Sequence, residues 1–173
     1  IPLDRRAAAP LIFTAHSIPQ AMADGCRYEA QLRDACELVA AEAGHNVWHL
    51  AYQSRSGPPQ QPWLEPDIGD FLESCQVSGV RCQDAVVVPI GFISDHMEVL
   101  YDLDTELLQR CERLGINLVR AATVGTHPRF IRMIRELIEE RMSDSPVRPA
   151  LGKLGPKEDI CPDDCCRYEP RRA

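Results

Sequence analysis

An α/β layer domain with a mainly parallel sheet is the fold class that this 173-residue chain predicts. Three observations carry it. Strand-like apolar runs alternate with helix-like stripes along residues 11–142. The clearest run, Ala85-Val86-Val87-Val88-Pro89-Ile90, is apolar throughout, as a parallel strand covered on both faces must be. The unusual polar residues fall at strand ends, where open α/β sheets bind ligands.

Leu11-Ile12-Phe13-Thr14-Ala15 reads as the first strand, closed by His16-Ser17-Ile18-Pro19. Tyr28, Leu32, Cys36, Val39 and Ala43 then recur at helical spacing, and Gly44 supplies the stop. Val47 to Tyr52 is the second strand, followed by the polar, Pro-rich loop Gln53 to Pro62. Pro66 opens a helix with Ile68, Phe71, Leu72 and Cys75 on one face. After the third strand, Leu100, Leu107, Cys111 and Leu114 mark a helix ended by Gly115, and Ile116 to Val124 is the fourth strand. Pro128 opens a last helix whose expected core face is Ile131, Ile134, Leu137, Ile138 and Met142. The pattern predicts one domain over 1–143 and an irregular, Cys-rich tail over 144–173.

Composition removes several function classes. Lys plus Arg is 19 against 26 for Asp plus Glu, a formal charge of −7. That balance is a poor match for nucleic acid, whose affinity rests on basic contacts to phosphate. The longest uncharged apolar stretch, Ala85 to Ser94, contains Pro89 and Gly91 and is far short of the ~20 residues of a spanning helix. Arg5-Arg6 followed by Ala7 to Ala15 has the faint outline of a secretory signal but leads straight into the first strand. The chain is therefore expected to be cytoplasmic, with no transmembrane segment. It opens at Ile1 rather than Met, which suggests a fragment or a trimmed chain.

The chemistry concentrates after strands one to three. His16 follows the first, Gln53-Ser54-Arg55 the second, and Ser94-Asp95-His96-Met97-Glu98 the third. Glu98, Asp102 and Glu106 stand at i, i+4 and i+8, so an α-helix would carry the three carboxylates as one stripe. Such a stripe suits a path for hydrated cations or protons. It is equally a solvated face, with Arg110 continuing it and pairing with Glu106. An imidazole at a strand end, as in His16 or His96, can take a proton or meet a metal near neutral pH. His45, His49 and His127 lack that setting and read as structural. Arg55 could grip a small anion or brace its own loop, and Trp63 could stack on a flat ligand or act as a core lid.

Cys36, Cys75 and Cys111 each fall singly on an apolar helix face, where reduced Cys behaves as a small hydrophobe. Cys161, Cys165 and Cys166 lie together in the tail, as three soft ligands that one more would complete for zinc or an iron–sulfur cluster. Cys26 or Cys82 could be that fourth ligand if the fold allowed it.

Ala15-His16-Ser17-Ile18-Pro19, Tyr52-Gln53-Ser54-Arg55 with Pro62-Trp63-Leu64-Glu65-Pro66, and Pro89-Ile90-Gly91-Phe92 running into Ser94-Asp95-His96-Met97-Glu98 together resemble ferrochelatase, in order and at matching intervals from about Leu11 to Met142. Their wording and the Cys-rich tail are similar to the actinobacterial type, whose members insert ferrous iron into coproporphyrin III. The resemblance implies a Rossmann-like three-layer domain with a four-stranded parallel sheet, one half of a two-domain chelatase. It implies that His16 and Glu98 handle pyrrole protons and metal, and that Asp102 and Glu106 form an acidic ladder leading to the surface. It puts Trp63 near the macrocycle, with Ser54, Arg55 and His96 as substrate-side neighbours. Ferrous iron would be substrate. A [2Fe–2S] cluster would take Cys161, Cys165 and Cys166, with its fourth ligand outside this chain.

Family members are about twice this long, and the motifs match their second half. The opposite wall of the porphyrin cleft would come from the N-terminal half or from a second copy of this chain. Three other readings stand beside this one: a short homodimeric chelatase, a non-catalytic tetrapyrrole- or metal-binding module, and an iron–sulfur carrier.

Overall fold

A computed structural model describes residues 1–77, 82–144 and 146–166. Four strands, β1 (Leu11–His16), β2 (Trp48–Gln53), β3 (Asp84–Val88) and β4 (Asn117–Arg120), form one sheet in the order β2-β1-β3-β4. Every neighbouring pair is parallel, with Phe13 opposite both Leu50 and Val88, and Val86 opposite Val119. The helices are α1 (Leu3–Arg6), α2 (Gln20–Asp24), α3 (Tyr28–Glu42), α4 (Ile68–Val77), α5 (Met97–Tyr101), α6 (Leu108–Leu114) and α7 (Pro128–Arg141). A π-helical segment, Asp102–Leu107, joins α5 to α6.

Alternation along the strands creates two cores. Ile12, Ala51, Ala85 and Val87 point to one face, against Ile68, Leu72, Val99, Leu103, Leu107 and Cys111 of the helices. Leu11, Phe13, Ala15, Leu50 and Tyr52 point to the other, against Leu32, Cys36 and Ala40 of α3. Phe13, Leu72 and Leu103 are completely buried, each worth roughly 1.5–3 kcal/mol relative to exposure. The result is a three-layer, all-parallel α/β fold, of the layered and mainly parallel class that the apolar pattern predicts and with the layers that the resemblance implies. Burial raises the thiols of Cys36 and Cys111 to about 12 and about 11, as befits cysteines used as packing groups.

Local chemistry shifts several boundaries. β3 stops at Val88 because Pro89 has no N–H to continue the ladder. The fourth strand is shorter than Ile116 to Val124: it ends at Arg120, whose side chain turns to two carboxylates. Asp67, rather than Pro66, starts α4, its Oδ1 accepting from the amides of Gly69 at 2.8 Å and Asp70 at 3.2 Å. The buried stripe of α3 is Leu32, Cys36 and Ala40, while Val39 is exposed.

The largest departure is α7. None of its residues is buried, and Ile131, Ile134, Leu137, Ile138 and Met142 are between 39% and 80% exposed. The expected core face is apolar but uncovered. Periodicity reports that a face needs burial; the covering surface is not among the described residues.

Beyond α7 the described residues up to 166 have no regular secondary structure. They cross α3, where Lys153 donates its amide to Asp34 Oδ1 at 2.9 Å and pairs with Glu37. Arg141 and Arg148 share Asp159 at 2.6 and 2.7 Å. Residues 145 and 167–173 of the predicted tail lie outside the described residues. Among the described residues no helix is long and apolar enough to cross a membrane.

Candidate active site

From β1 the chain crosses to β2 on one side and later to β3 on the other, so the crevice at the carboxyl ends of β1 and β3 is the switch point of the sheet. His16 ends β1, and the loop after β3 delivers His96 and Glu98 to the same place. His16 Nε2 lies 3.4 Å from Glu98 Oε1, with both side chains nearly half exposed. His16 Nδ1 makes a short contact with the Ser17 carbonyl. A carbonyl only accepts, so Nδ1 donates to it and Nε2 is the nitrogen that faces Glu98. Tyr28 Oη donates to the His16 carbonyl at 2.9 Å, and Ser17 takes the Gln53 carbonyl on its amide at 2.8 Å. The histidine is thus fixed from both sides of its own backbone.

Gly91 lets the next element come close. A Cβ there would stand 2.7 Å from Ala15 Cβ and 2.9 Å from Ala15 Cα, and the Gly91 amide donates to Thr14 O at 3.1 Å. The exposed His96 precedes α5 and meets Phe92 edge-on, ring centroids 5.5 Å apart. Glu98 occupies the first turn of the continuous helical run 97–114, where the helix dipole favours a carboxylate.

The acidic residues do not lie on one straight α-helix. Asp102 and Glu106 fall in the π segment, whose wider turns change their relative direction. Each carboxylate has its own surroundings. Glu98 faces His16, while Asp102 accepts from Gln53 Nε2 at 3.2 Å and from Ser54 Oγ. Ser54 has φ +60°, a strained value for a residue with a Cβ, and that geometry turns its hydroxyl inward. Glu106 and Asp102 share an open cleft of about 370 Å³ with Ser54, Arg55 and Arg110. Arg110 does not pair with Glu106. It is taken by α4, with Asp67, Asp70 and Glu73 at 3.4, 2.5 and 2.7 Å, because three carboxylates converge on it there.

Arg55 donates to the carbonyls of Pro59 and Gln61 at 3.3 and 3.2 Å and so braces its own loop. Trp63 bridges to Pro19, three residues beyond His16, and packs beside Gly57. Its indole N–H is buried with no hydrogen-bond partner among the described residues. His127 caps α7, accepting from the Arg129 amide at 3.3 Å, and His49 packs on Phe71. Both serve structure. A cavity of about 770 Å³ lies at the opposite end of the sheet, near Pro10, Val47, His49 and Cys82, and contains none of the residues expected to meet porphyrin or iron.

Arg120 is the important group that the sequence reading passed over. It joins Asp104 in the π segment to Asp95 in the loop before α5. An arginine closing an apolar strand, with Asp95 and Asp104 upstream, was the available signal. Gln53, whose amide reaches Asp102, carries no signal in the sequence beyond its place at the end of the second strand.

The ferrochelatase family model matches residues 2–142. The chain belongs to the ferrochelatase family. A ferrochelatase of Rhodopirellula baltica is 54% identical over 96% of this chain and 47% of its own length. Coproporphyrin III ferrochelatases of Frankia alni and Streptomyces griseus are 48% and 46% identical over the whole of this chain, covering 47% and 50% of theirs. The chain spans about half the length of the curated ferrochelatases it matches.

The tail does not make a complete cluster site. Cys165 Sγ lies 3.4 Å from Cys166 Sγ, and Cys161 adjoins them closely enough that the neighbouring thiols push Cys165 up to about 11. Three thiols fall short of the four that a [2Fe–2S] cluster takes. Among the described residues no group of three or more His, Cys, Asp or Glu is arranged to hold a metal ion. The half-buried Cys26 instead turns its Sγ toward Ala23 O at 3.8 Å.

Proposed function

We propose that this chain supplies the proton- and metal-handling wall of a ferrochelatase that inserts Fe²⁺ into coproporphyrin III, the rest of the enzyme providing the opposite wall. The named substrate of the Frankia and Streptomyces relatives supports the choice of porphyrin. The observation that carries the reading is the His16–Glu98 pair, with Nε2 3.4 Å from a carboxylate oxygen.

Metal insertion removes two pyrrole protons from a neutral porphyrin while one dication enters, so two protons must leave for each ion. A neutral imidazole accepts a proton, and an adjacent carboxylate stabilises the imidazolium. In this reading His16 Nε2 takes the pyrrole proton and Glu98 balances its charge. Asp102, held by Gln53 and Ser54, and Glu106 at the open cleft continue the anionic route to solvent. Arg55 keeps the substrate-side loop in shape, while His96 and Trp63 flank the macrocycle.

The test is anaerobic Fe²⁺ insertion into coproporphyrin III, read as loss of porphyrin fluorescence. It uses this chain joined to the portion of the Rhodopirellula enzyme that it does not match. His16→Ala and Glu98→Gln are each expected to lower kcat at least a hundredfold, with the far-ultraviolet dichroism unchanged. Turnover preserved in either variant would overturn the assignment.

A further inference from the structure

We infer that the cavity at the amino ends of β1, β2 and β3 binds a small apolar carboxylate. The inference does not rest on the functional reading above, whose residues gather at the carboxyl ends of the same strands.

Three connections wall this cavity of about 770 Å³. Residues 6–10 run from α1 into β1, residues 44–47 run from α3 into β2, and Cys75 and Cys82 stand in the last turn of α4 and just before β3. The volume falls among those of small-molecule sites, roughly 300–1,000 Å³. Its inner wall is apolar. Ala9 and Cys82 are buried there, the Cys82 thiol donating to Asp84 O at 3.0 Å, and Val47 adds a 71% exposed aliphatic side chain. Burial raises the thiols of Cys75 and Cys82, so both stay protonated near neutral pH and serve as uncharged, apolar surface.

The polar residues select the charge of the occupant. Arg6, His45 and Asn46 line the cavity, and among its described lining residues there is no Asp or Glu, in a chain of net charge −7. Arg6 uses only Nε within the protein, donating to Ile1 O at 2.9 Å; its terminal nitrogens have no partner among the described residues. A guanidinium edge of that kind grips a carboxylate through two parallel hydrogen bonds, and the side chains of His45 and Asn46 carry further N–H donors. The carboxylate of Asp84, two residues after Cys82, is already neutralised by Arg5 at 3.1 Å and bonded by Asn117 at 2.7 Å. An apolar wall with a cation and donors beside it, and no carboxylate, fits a hydrocarbon body with one anionic head.

The test is alkylation of Cys75 by iodoacetamide, read by peptide mass spectrometry, with decanoate and 2-naphthoate as probes. Either acid at about ten times its Kd should slow the reaction roughly tenfold, because only the unliganded cavity admits the reagent. Cys26, which does not line the cavity, should keep its rate. The better protector of the two tells a flexible hydrocarbon chain from a flat ring. Arg6→Glu should remove the protection by decanoate and leave that by decanol, which lacks the charge; Arg6 is exposed, so the fold tolerates the change. Absence of protection by both acids would overturn the inference. So would equal protection of Cys26, which would mark a general effect on the fold, or decanoate protection that survives Arg6→Glu. The same measurement is made on this chain joined to the unmatched portion of the Rhodopirellula enzyme. Protection lost there would also overturn the inference, because polypeptide would then fill the cavity.

Discussion

Arg120 at the end of β4 grips Asp104 with two prongs, Nε to Oδ1 at 2.5 Å and Nη2 to Oδ2 at 2.8 Å. Its remaining nitrogen, Nη1, reaches Asp95 Oδ1 at 2.8 Å. Asp95 precedes His96 and Asp104 follows Asp102, so one guanidinium holds both ends of the stretch that bears Glu98 and Asp102. The planar fork suits this task in a way that a lysine ammonium does not. Arg120→Ala should lower stability by about 1.5–3 kcal/mol, the range for lost charge-assisted hydrogen bonds. Arg120→Lys should recover only part of it. Urea unfolding followed by dichroism measures both, and an unchanged midpoint in the alanine variant would remove the clamp from the account.

Much of this architecture was legible because strand and helix periods are local properties. The run from Ala85 to Ile90 and the stripe of Leu32 and Cys36 announce buried faces without any knowledge of partners. The rule that parallel sheets gather chemistry at carboxyl ends brings His16 and Glu98 into one neighbourhood, while their facing each other is implied only by the family resemblance. What escaped depends on tertiary partners or on a small change of helical pitch. Nothing in the spacing of Glu98, Asp102 and Glu106 distinguishes an α-helix from one interrupted by a π segment. Arg110 stands one turn from Glu106, yet its charge is settled by Asp67, Asp70 and Glu73 of α4, some forty residues away. The spacing along α7 marks an apolar face but cannot say that nothing among the described residues buries it.

Gly91 offers a test of how closely the loop after β3 must approach β1. An added Cβ would meet the Cβ and Cα of Ala15, and Ala15 is itself completely buried beside His16. Neither contact can rotate away, so the two segments must separate. Gly91→Ala is expected to cost about 1–3 kcal/mol as an overpacking change. Gly115 is the control: it has φ +70° with open space around its Cβ position, so alanine there costs only backbone strain, roughly 1–2 kcal/mol. Chemical denaturation of both variants should rank Gly91→Ala as the more destabilised, and the reverse order would mean that the approach of β1 and the loop is slack.

The Arg110 cluster predicts a pH dependence of definite sign. Hydrogen bonding from Arg110, with the guanidinium's positive charge adding to it, holds the Glu73 carboxyl below its ordinary value of about 4.5. A carboxylate depressed in the folded state stabilises that state wherever it is ionised in both states, above its ordinary range. The contribution is lost as pH falls through the lowered folded value, since protonation then removes the acceptor. Arg110 also joins α6 to the first turns of α4, so its removal loosens the helices that carry Asp102 and Glu106 on one side and Asp67 on the other. Arg110→Gln should therefore be less stable than the parent at pH 7. The gap should narrow once the pH drops below about 4.5, by the part that Glu73 contributes among the three carboxylates. Urea midpoints of the two proteins at pH 7, 5, 4 and 3 give the comparison. A gap that stays constant down to pH 3 would show that Arg110 stabilises the helix pair by packing its aliphatic stem rather than through its carboxylate partners.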